Sequence, residues 1–194
     1  NIDRYINKAE KVLDIKYNEE QKEAISKSLI NNISVITGGP GTGKTTIIKG
    51  IIKTYSLIYK VSEQAIKDHV LLLAPTGRAA KRMSESTGYQ ASTIHRFLKW
   101  DKENNVFNIN ELNSMHYNLI IVDESSMIDN HLMASLLRGL DIFNTQIVLV
   151  GDEYQLPSVG PGLVLNDIIN TNIPHIRLEK IYRQSDKSYI PTVA

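Results

Sequence analysis

Gly38-Gly39-Pro40-Gly41-Thr42-Gly43-Lys44-Thr45-Thr46 follows directly on the strand-like run Ile33-Ser34-Val35-Ile36-Thr37. The stretch spells G-x-x-x-x-G-K-[ST], and a helix is expected after it, from about Gly43 to Ser56. Strand, glycine-rich loop and helix form the context in which this pattern has a physical meaning. Glycines let the backbone turn with its N–H groups pointing inward, and those donors add to the helix N-terminus to make an anion site. Lys44 is placed to reach the β- and γ-phosphates of a nucleotide, and Thr45 offers a hydroxyl to Mg²⁺. The candidate nucleotide contacts are therefore Gly39, Pro40, Gly41, Thr42, Gly43, Lys44, Thr45 and Thr46. At average glycine usage, chance places this pattern in roughly one chain per hundred of this length. The alternative, a glycine-rich turn with an exposed lysine, is disfavoured by the flanking elements.

Outward from the loop, short apolar strands alternate with helical stretches, the signature of a parallel sheet covered by helices. The first clear helix is expected to start at Asn18, whose pairing with Gln21 reads as a capping box. Strands are expected at Val70–Ala74, Leu119–Val122, Ile147–Val150 and His175–Leu178. Helices are expected at Gly77–Ser86 behind a Thr76 cap, at Ser92–Leu98, and at about Asn130–Leu140 and Gly162–Asn170, and Lys99–Phe107 reads as a hairpin or loop excursion. No repeat or linker interrupts the pattern, so the chain reads as one doubly wound α/β domain.

Two more strands end in polar residues. Leu119-Ile120-Ile121-Val122 runs into Asp123-Glu124. An aspartate there suits Mg²⁺ held through its water shell. The adjacent glutamate suits a base that orients the attacking water or takes its proton. Alone this is a weak signal, since two solvated loop acids look the same. Joined to the loop at 38–45 it points to nucleotide hydrolysis. Val148-Leu149-Val150 runs into Gly151-Asp152-Glu153-Tyr154-Gln155. Gln155 either bonds the γ-phosphate or attacking water, or is a loop-capping amide. Ligands of parallel sheets bind beyond the carboxyl ends of the strands, so all three clusters are expected at one edge.

Composition narrows the classes. The 194 residues contain no cysteine, which removes disulfide scaffolds, cysteine-ligated metals and cysteine nucleophiles. Hydrophobic residues at 42% and charged residues at 22% fit an ordinary globule rather than a disordered chain. No apolar run approaches the roughly 20 residues of a spanning helix, so no membrane partner is expected. The polar start (Asn1, Asp3, Arg4) carries no expectation of a secretory leader, and the expected compartment is the cytoplasm. Lys plus Arg number 22 and Asp plus Glu 21; the net charge of +1 argues against a polybasic arm but leaves room for a local basic groove. The five histidines are scattered without metal spacing. Ser125-Ser126 lacks a nucleophile's partners, and the four methionines, Met83, Met115, Met127 and Met133, read as core.

Six segments then occur in order: the loop at 38–46, Ala74-Pro75-Thr76-Gly77-Arg78-Ala79-Ala80-Lys81-Arg82, Ser92-Thr93-Ile94-His95-Arg96, Val122-Asp123-Glu124-Ser125-Ser126-Met127, Gly151–Gly162 and Tyr182-Arg183-Gln184. Together they resemble the first motor domain of superfamily 1 DNA helicases of the RecD/TraA type, a group that includes the exodeoxyribonuclease V alpha subunit and moves 5′→3′. The likeness covers about Asn18 to Gln184. It implies a RecA-like P-loop NTPase fold, a parallel sheet with helices on both faces, using ATP and Mg²⁺ on single-stranded DNA. By position it implies that Gln21 reads adenine, that Lys44 and Thr45 hold phosphate and Mg²⁺, and that Asp123 is the metal acid and Glu124 the base. It further implies that Gln155 senses the γ-phosphate and that Arg183 stabilises the transition state. Pro75, Thr76 and Gly77, with Thr93, Ile94 and His95, resemble segments that contact the DNA backbone.

The residues around those segments agree. Arg78, Lys81, Arg82, His95, Arg96 and Lys99 concentrate positive charge that the near-neutral total hides. Trp100 either stacks a base or packs the hairpin; Phe97 reads as core. The missing initiator Met and the end at Pro191–Ala194 raise the expectation of a piece of a longer protein, whose second motor domain lies elsewhere. Such a fragment, residues 1–194, is expected to bind nucleotide weakly and not to unwind DNA. Other exonuclease V-type subunits are the further partners implied. The alternatives are the helicase part of a conjugative relaxase, a P-loop kinase, which Glu124 and Gln155 argue against, and a nucleotide-gated DNA-binding subunit without motor activity.

Overall fold

The central strands are buried almost throughout, and successive residues join opposite clusters, which gives the sheet two apolar faces. In β2 (Val70–Ala74), Val70 and Leu72 join one buried cluster while Leu71 and Leu73 join the other. In β7 (Leu119–Val122), Leu119 and Ile121 face one side and Ile120 and Val122 the other. In β9 (Gln146–Gly151) the split is Val148 and Val150 against Ile147 and Leu149. Strands apolar on both sides need a cover on both sides, which is the parallel, helix-sandwiched arrangement. The computed structural model describes residues 1–39, 43–141, 143–152 and 175–178.

Among the described residues the main sheet has six strands, all parallel, in the order β10-β1-β9-β7-β2-β3, where β1 is Ile33–Gly38, β3 Ser92–Thr93 and β10 His175–Leu178. Helices α1 (Ile2–Leu13), α2 (Glu19–Ile30), α3 (Lys44–Tyr59) and α5 (Gly77–Thr87) contribute Ile6, Ile25, Ile51 and Met83 to the first cluster. Helices α6 (Ile94–Phe97) and α7 (Asn130–Arg138) contribute Ile94, Met133 and Leu136 to the second. The doubly wound expectation therefore holds. The capping box at Asn18 is present in both directions: Asn18 Oδ1 accepts from Gln21 N at 2.8 Å, and Gln21 Oε1 accepts from Asn18 N at 3.0 Å.

Several features differ from the sequence-based expectation. α1 precedes the helix taken as first; its apolar stripe is sparse, with only Ile6 and Ala9 buried. Ser92–Thr93 is an edge strand, so the helix expected from Ser92 begins at Ile94 behind the Thr93 cap. The segment expected to stay helical to Leu140 turns at Gly139 into a two-residue strand, β8 (Leu140–Asp141), beside β6 (Met115–His116). A one-turn α4 (Ile66–His69) leads into β2. Met115 and Met127 are 39% and 40% exposed, so only Met83 and Met133 are core. The expected hairpin exists as β4 (Trp100–Asp101) against β5 (Val106–Phe107), antiparallel, with Trp100 opposite Phe107. The helix expected at Gly162–Asn170 lies outside the described residues. Among the described residues no helix is long and apolar enough to cross a membrane.

The first face is packed most tightly where α1, α2 and α3 meet. The Tyr17 hydroxyl, behind α1, donates to the Thr46 carbonyl in the first turn of α3 at 3.0 Å. One turn later a Cβ on Gly50 would lie 2.6 Å from Tyr17 Oη and 2.7 Å from Ile25 Cδ1. Gly50→Ala gains helix propensity of up to about 1 kcal/mol but must displace the tyrosine from Thr46, and such overpacking costs about 1–3 kcal/mol. Gly50→Ala is expected to lower the thermal midpoint, and the further change Tyr17→Phe in that background to lower it by less than in the wild type.

Candidate active site

β1, β9 and β7 lie side by side, with Thr37 opposite Gly151 and Val122 opposite Leu149. Their carboxyl ends therefore open at one edge, and there a cleft of about 610 Å³ is lined by Lys44 and Thr45, by Asp123 and Glu124, by Gly151 and Asp152, and by one face of α5. The three polar clusters converge as the strand order requires.

Gly43 takes φ 82°, a left-handed conformation that favours glycine, and opens α3 without a side-chain cap. The first N–H groups of α3 are thus left to other acceptors. Lys44 Nζ donates to the Gly38 carbonyl at 2.6 Å and to that of Gly39 at 3.1 Å. Burial pushes the ammonium below the ordinary lysine range, against the pull of Asp152, Asp123 and Glu124. Of the other loop candidates, Gly39, Gly43, Thr45 and Thr46 are described, whereas Pro40, Gly41 and Thr42 lie outside the described residues, as do Gln155 and Arg183.

Asp123 leaves β7 with its N–H on the Leu73 carbonyl at 2.9 Å, and its Oδ1 accepts the Glu124 N–H at 2.8 Å. Burial pushes its carboxyl above the ordinary range; the Glu124 N–H opposes this, the charge on Glu124 adds to it, and Lys44 and Arg82 oppose it. Glu124 sits at φ 51°, left-handed for a residue with a side chain, and its Oε1 accepts from Arg82 Nη2 at 2.8 Å. Non-glycine residues held there are strained, a condition that gathers at functional sites. Among the described residues no group of three or more His, Cys, Asp or Glu side chains is arranged to hold a metal. The pair Thr45 and Asp123 instead fits Mg²⁺, which keeps several waters and takes one or two carboxylates plus substrate phosphates.

Gln21 is 1% exposed, and its Nε2 has no hydrogen-bond partner among the described residues. Its oxygen is used by the capping box, so only the amide nitrogen is left to meet another acceptor.

The candidate DNA residues fall at the neighbouring strand ends. Leu73 and Ala74 of β2 pair with Ser92 and Thr93 of β3, so the helix starts at Thr76 and Thr93 are adjacent. Thr76 Oγ1 accepts from Ala79 N at 3.2 Å and Thr93 Oγ1 from Arg96 N at 3.1 Å. Pro75 is half-buried, while Gly77, Arg78, His95, Arg96 and Lys99 are exposed. Trp100 packs on Phe107 at 4.7 Å and edge-on to His95 at 6.2 Å, and 38% of it stays exposed. Phe97 packs partly buried against the second cluster, in keeping with the core expectation.

Arg82 departs from expectation. Grouped by sequence with the DNA-facing cations, it lies on the cleft side of α5 and pairs with Glu124. Ala79, Arg82, Met83 and Ser86 line the cleft together at helical spacing. That periodicity was readable in the sequence; the packing of α5 beside the end of β7 was not.

Asp123 carries a pH signature. A carboxyl whose folded-state pKa is raised makes its contribution to stability below the ordinary aspartate range and loses it as pH rises through the raised value. At neutral pH the metal-free charge therefore opposes folding. Asp123→Asn keeps the acceptor for Glu124 N–H and is expected to raise the thermal midpoint at neutral pH without Mg²⁺ or nucleotide, with the gain fading in acid. Scanning calorimetry across that range checks it.

A family model described as AAA domain matches residues 21–161. The chain is 39% identical over 172 residues to the ATP-dependent RecD2 DNA helicase of Deinococcus radiodurans, covering 89% of this chain and 22% of that protein. It is 34% identical to the RecBCD enzyme subunit RecD of Haemophilus influenzae, covering 76% of this chain and 26% of that one. It thus spans about a quarter of the length of these relatives. Among solved structures it resembles the Pif1 helicase from Candida albicans, with a TM-score of 0.63 at 27% identity over 88% of this chain and 41% of that one.

Proposed function

We propose, since this chain belongs to the AAA domain family, that it is the ATP-hydrolysing first RecA-like lobe of a DNA helicase moving 5′→3′ on single-stranded DNA. The observation that carries the reading is the cleft at the ends of β1, β9 and β7, where Lys44, Thr45, Asp123, Glu124 and Asp152 meet beside a helix start. Its relatives, an ATP-dependent DNA helicase and a RecBCD enzyme subunit, support nucleotide use and DNA as partner.

On this reading, phosphate oxygens replace the Gly38 and Gly39 carbonyls as partners of Lys44 Nζ, and the uncapped N–H groups of α3 complete the cradle. Thr45 and Asp123 would hold Mg²⁺, which would supply positive charge to offset that of the phosphates. Glu124 orients the attacking water and accepts its proton. Gln155 and Arg183 are assigned to the γ-phosphate by resemblance alone. Thr76, Gly77 and Arg78, with Pro75 beside them, and Thr93, His95, Arg96 and Trp100 take the DNA. Because the chain spans about a quarter of its relatives, the second wall of the cleft is assigned to a second RecA-like lobe, and the lobe alone is not expected to unwind.

In the full-length protein, Glu124→Gln is expected to lower ATP turnover about 10²–10⁴-fold while ATP still binds. Lys44→Ala is expected to weaken binding itself. A wild-type protein that opens duplexes with a 3′ tail but not a 5′ tail would refute the direction, and intact turnover in Glu124→Gln would refute the base. A separate test addresses the base edge. Gln21→Glu keeps the acceptor for Asn18 N but removes the buried donor, so KM for ATP is expected to rise roughly tenfold with kcat little changed. KM for an NTP without adenine serves as the control and is expected to stay level.

A further inference from the structure

The ion pair between Arg82 and Glu124 joins two parts of the molecule that the proposed function uses separately. Arg82 projects from α5, whose first residues are the proposed DNA contacts; Glu124 ends β7 and is the proposed base. Arg82 Nη2 to Glu124 Oε1 is 2.8 Å, and this charge-assisted bond takes an oxygen that would otherwise orient water.

The two partners are held very differently. The Glu124 backbone is fixed: its N–H is bonded to Asp123 Oδ1, the neighbouring Ser125 Oγ donates to the Val122 carbonyl at 2.8 Å, and its left-handed φ of 51° gives it little room to relax. Only its side chain has a choice of partner. The Arg82 side chain is 63% exposed against 20% for Glu124, so little besides the carboxylate holds it. An ion pair this open to water is weak and readily exchanged.

From this we infer that Arg82 is a positioning residue that restrains Glu124 in the unengaged motor, and that movement of α5 on DNA releases the carboxylate for the attacking water. The inference rests on the assignment of Glu124 as base. α5 is a continuous helix from Gly77 to Thr87, so a shift at its DNA-facing start is carried to Arg82 about one and a half turns on. The base at the end of β7 belongs to the sheet and does not follow. The pair therefore lies where the sheet and a covering helix meet.

The test uses the full-length protein. Arg82→Ala is expected to raise ATP turnover without DNA about 2- to 5-fold, the population an exposed pair can hold back. The rate with saturating single-stranded DNA is expected to stay level, so the stimulation ratio falls by the same factor. Arg82→Lys, which keeps a cation, is expected to restore most of the ratio. Equilibrium binding of fluorescent ADP is expected to be unchanged in Arg82→Ala. Weaker ADP binding would make Arg82 a phosphate ligand and overturn the inference. Equal loss of turnover with and without DNA, or an unchanged ratio, would overturn it too. A Glu124→Gln control separates the two levels: if it retains turnover, the base assignment fails; if it is inactive and Arg82→Ala keeps the wild-type ratio, only the restraint fails.

Discussion

Three buried strands, β1, β9 and β7, hydrogen-bond as parallel neighbours in a fixed register, and nearly everything about the site depends on that pairing. Parallel strands point their carboxyl ends the same way. A phosphate-type loop after β1, an Asp-Glu pair after β7 and Asp152 after β9 must therefore share one edge. A one-residue slip in any of the three would exchange its two faces, forcing each side chain into the opposite close-packed layer, whose shape was set by other residues. Burial on both faces thus protects the register, and the register protects the site.

The same burial sets the electrostatics. Lys44 is pushed toward its neutral form and Asp123 toward its own, each by loss of water. A cleft that disfavours both an isolated cation and an isolated anion suits a polyanion bound together with a metal ion, since each then gains a partner. Gly43 leaves the α3 start uncapped, and Glu124 is held at a positive φ; the local stability forgone at these points is recovered in the apolar layers behind them. Tyr17 matters for that reason. It ties the region behind α1 to the first turn of α3, immediately after the loop whose lysine faces the cleft.

Much of this was legible in the sequence. Strands at 70–74 and 119–122 needed only apolar runs of strand length, and the Asn18 and Thr76 caps needed only local chemistry. Convergence of the Lys44, Asp123 and Asp152 clusters followed from the rule for parallel sheets. What was not legible depended on contacts between distant segments. α1 has too few buried residues to announce itself. Ser92 and Thr93 become a strand because β2 offers them an edge, not through their own propensity. The hydrogen-bond state of Gln21, with its oxygen used and its nitrogen without a partner among the described residues, depends on how closely the surrounding core closes over it.

Arg82 shows where reading by charge alone goes astray. In a linear sequence it belongs to a run of cations, Arg78, Lys81 and Arg82, and a single role for all three is the natural reading. A helix divides such a run among its faces: Arg78 and Lys81 are exposed, whereas Arg82, though exposed itself, shares with Ala79 and Met83 the side that meets the cleft. One helix then carries two chemistries, positive charge at its open end and a contact to a carboxylate at its sheet-facing side. Coupling between a polymer track and a hydrolytic base needs a body that touches both. On the proposed reading α5 meets that requirement by its placement, beginning at the end of β2 and running past the end of β7.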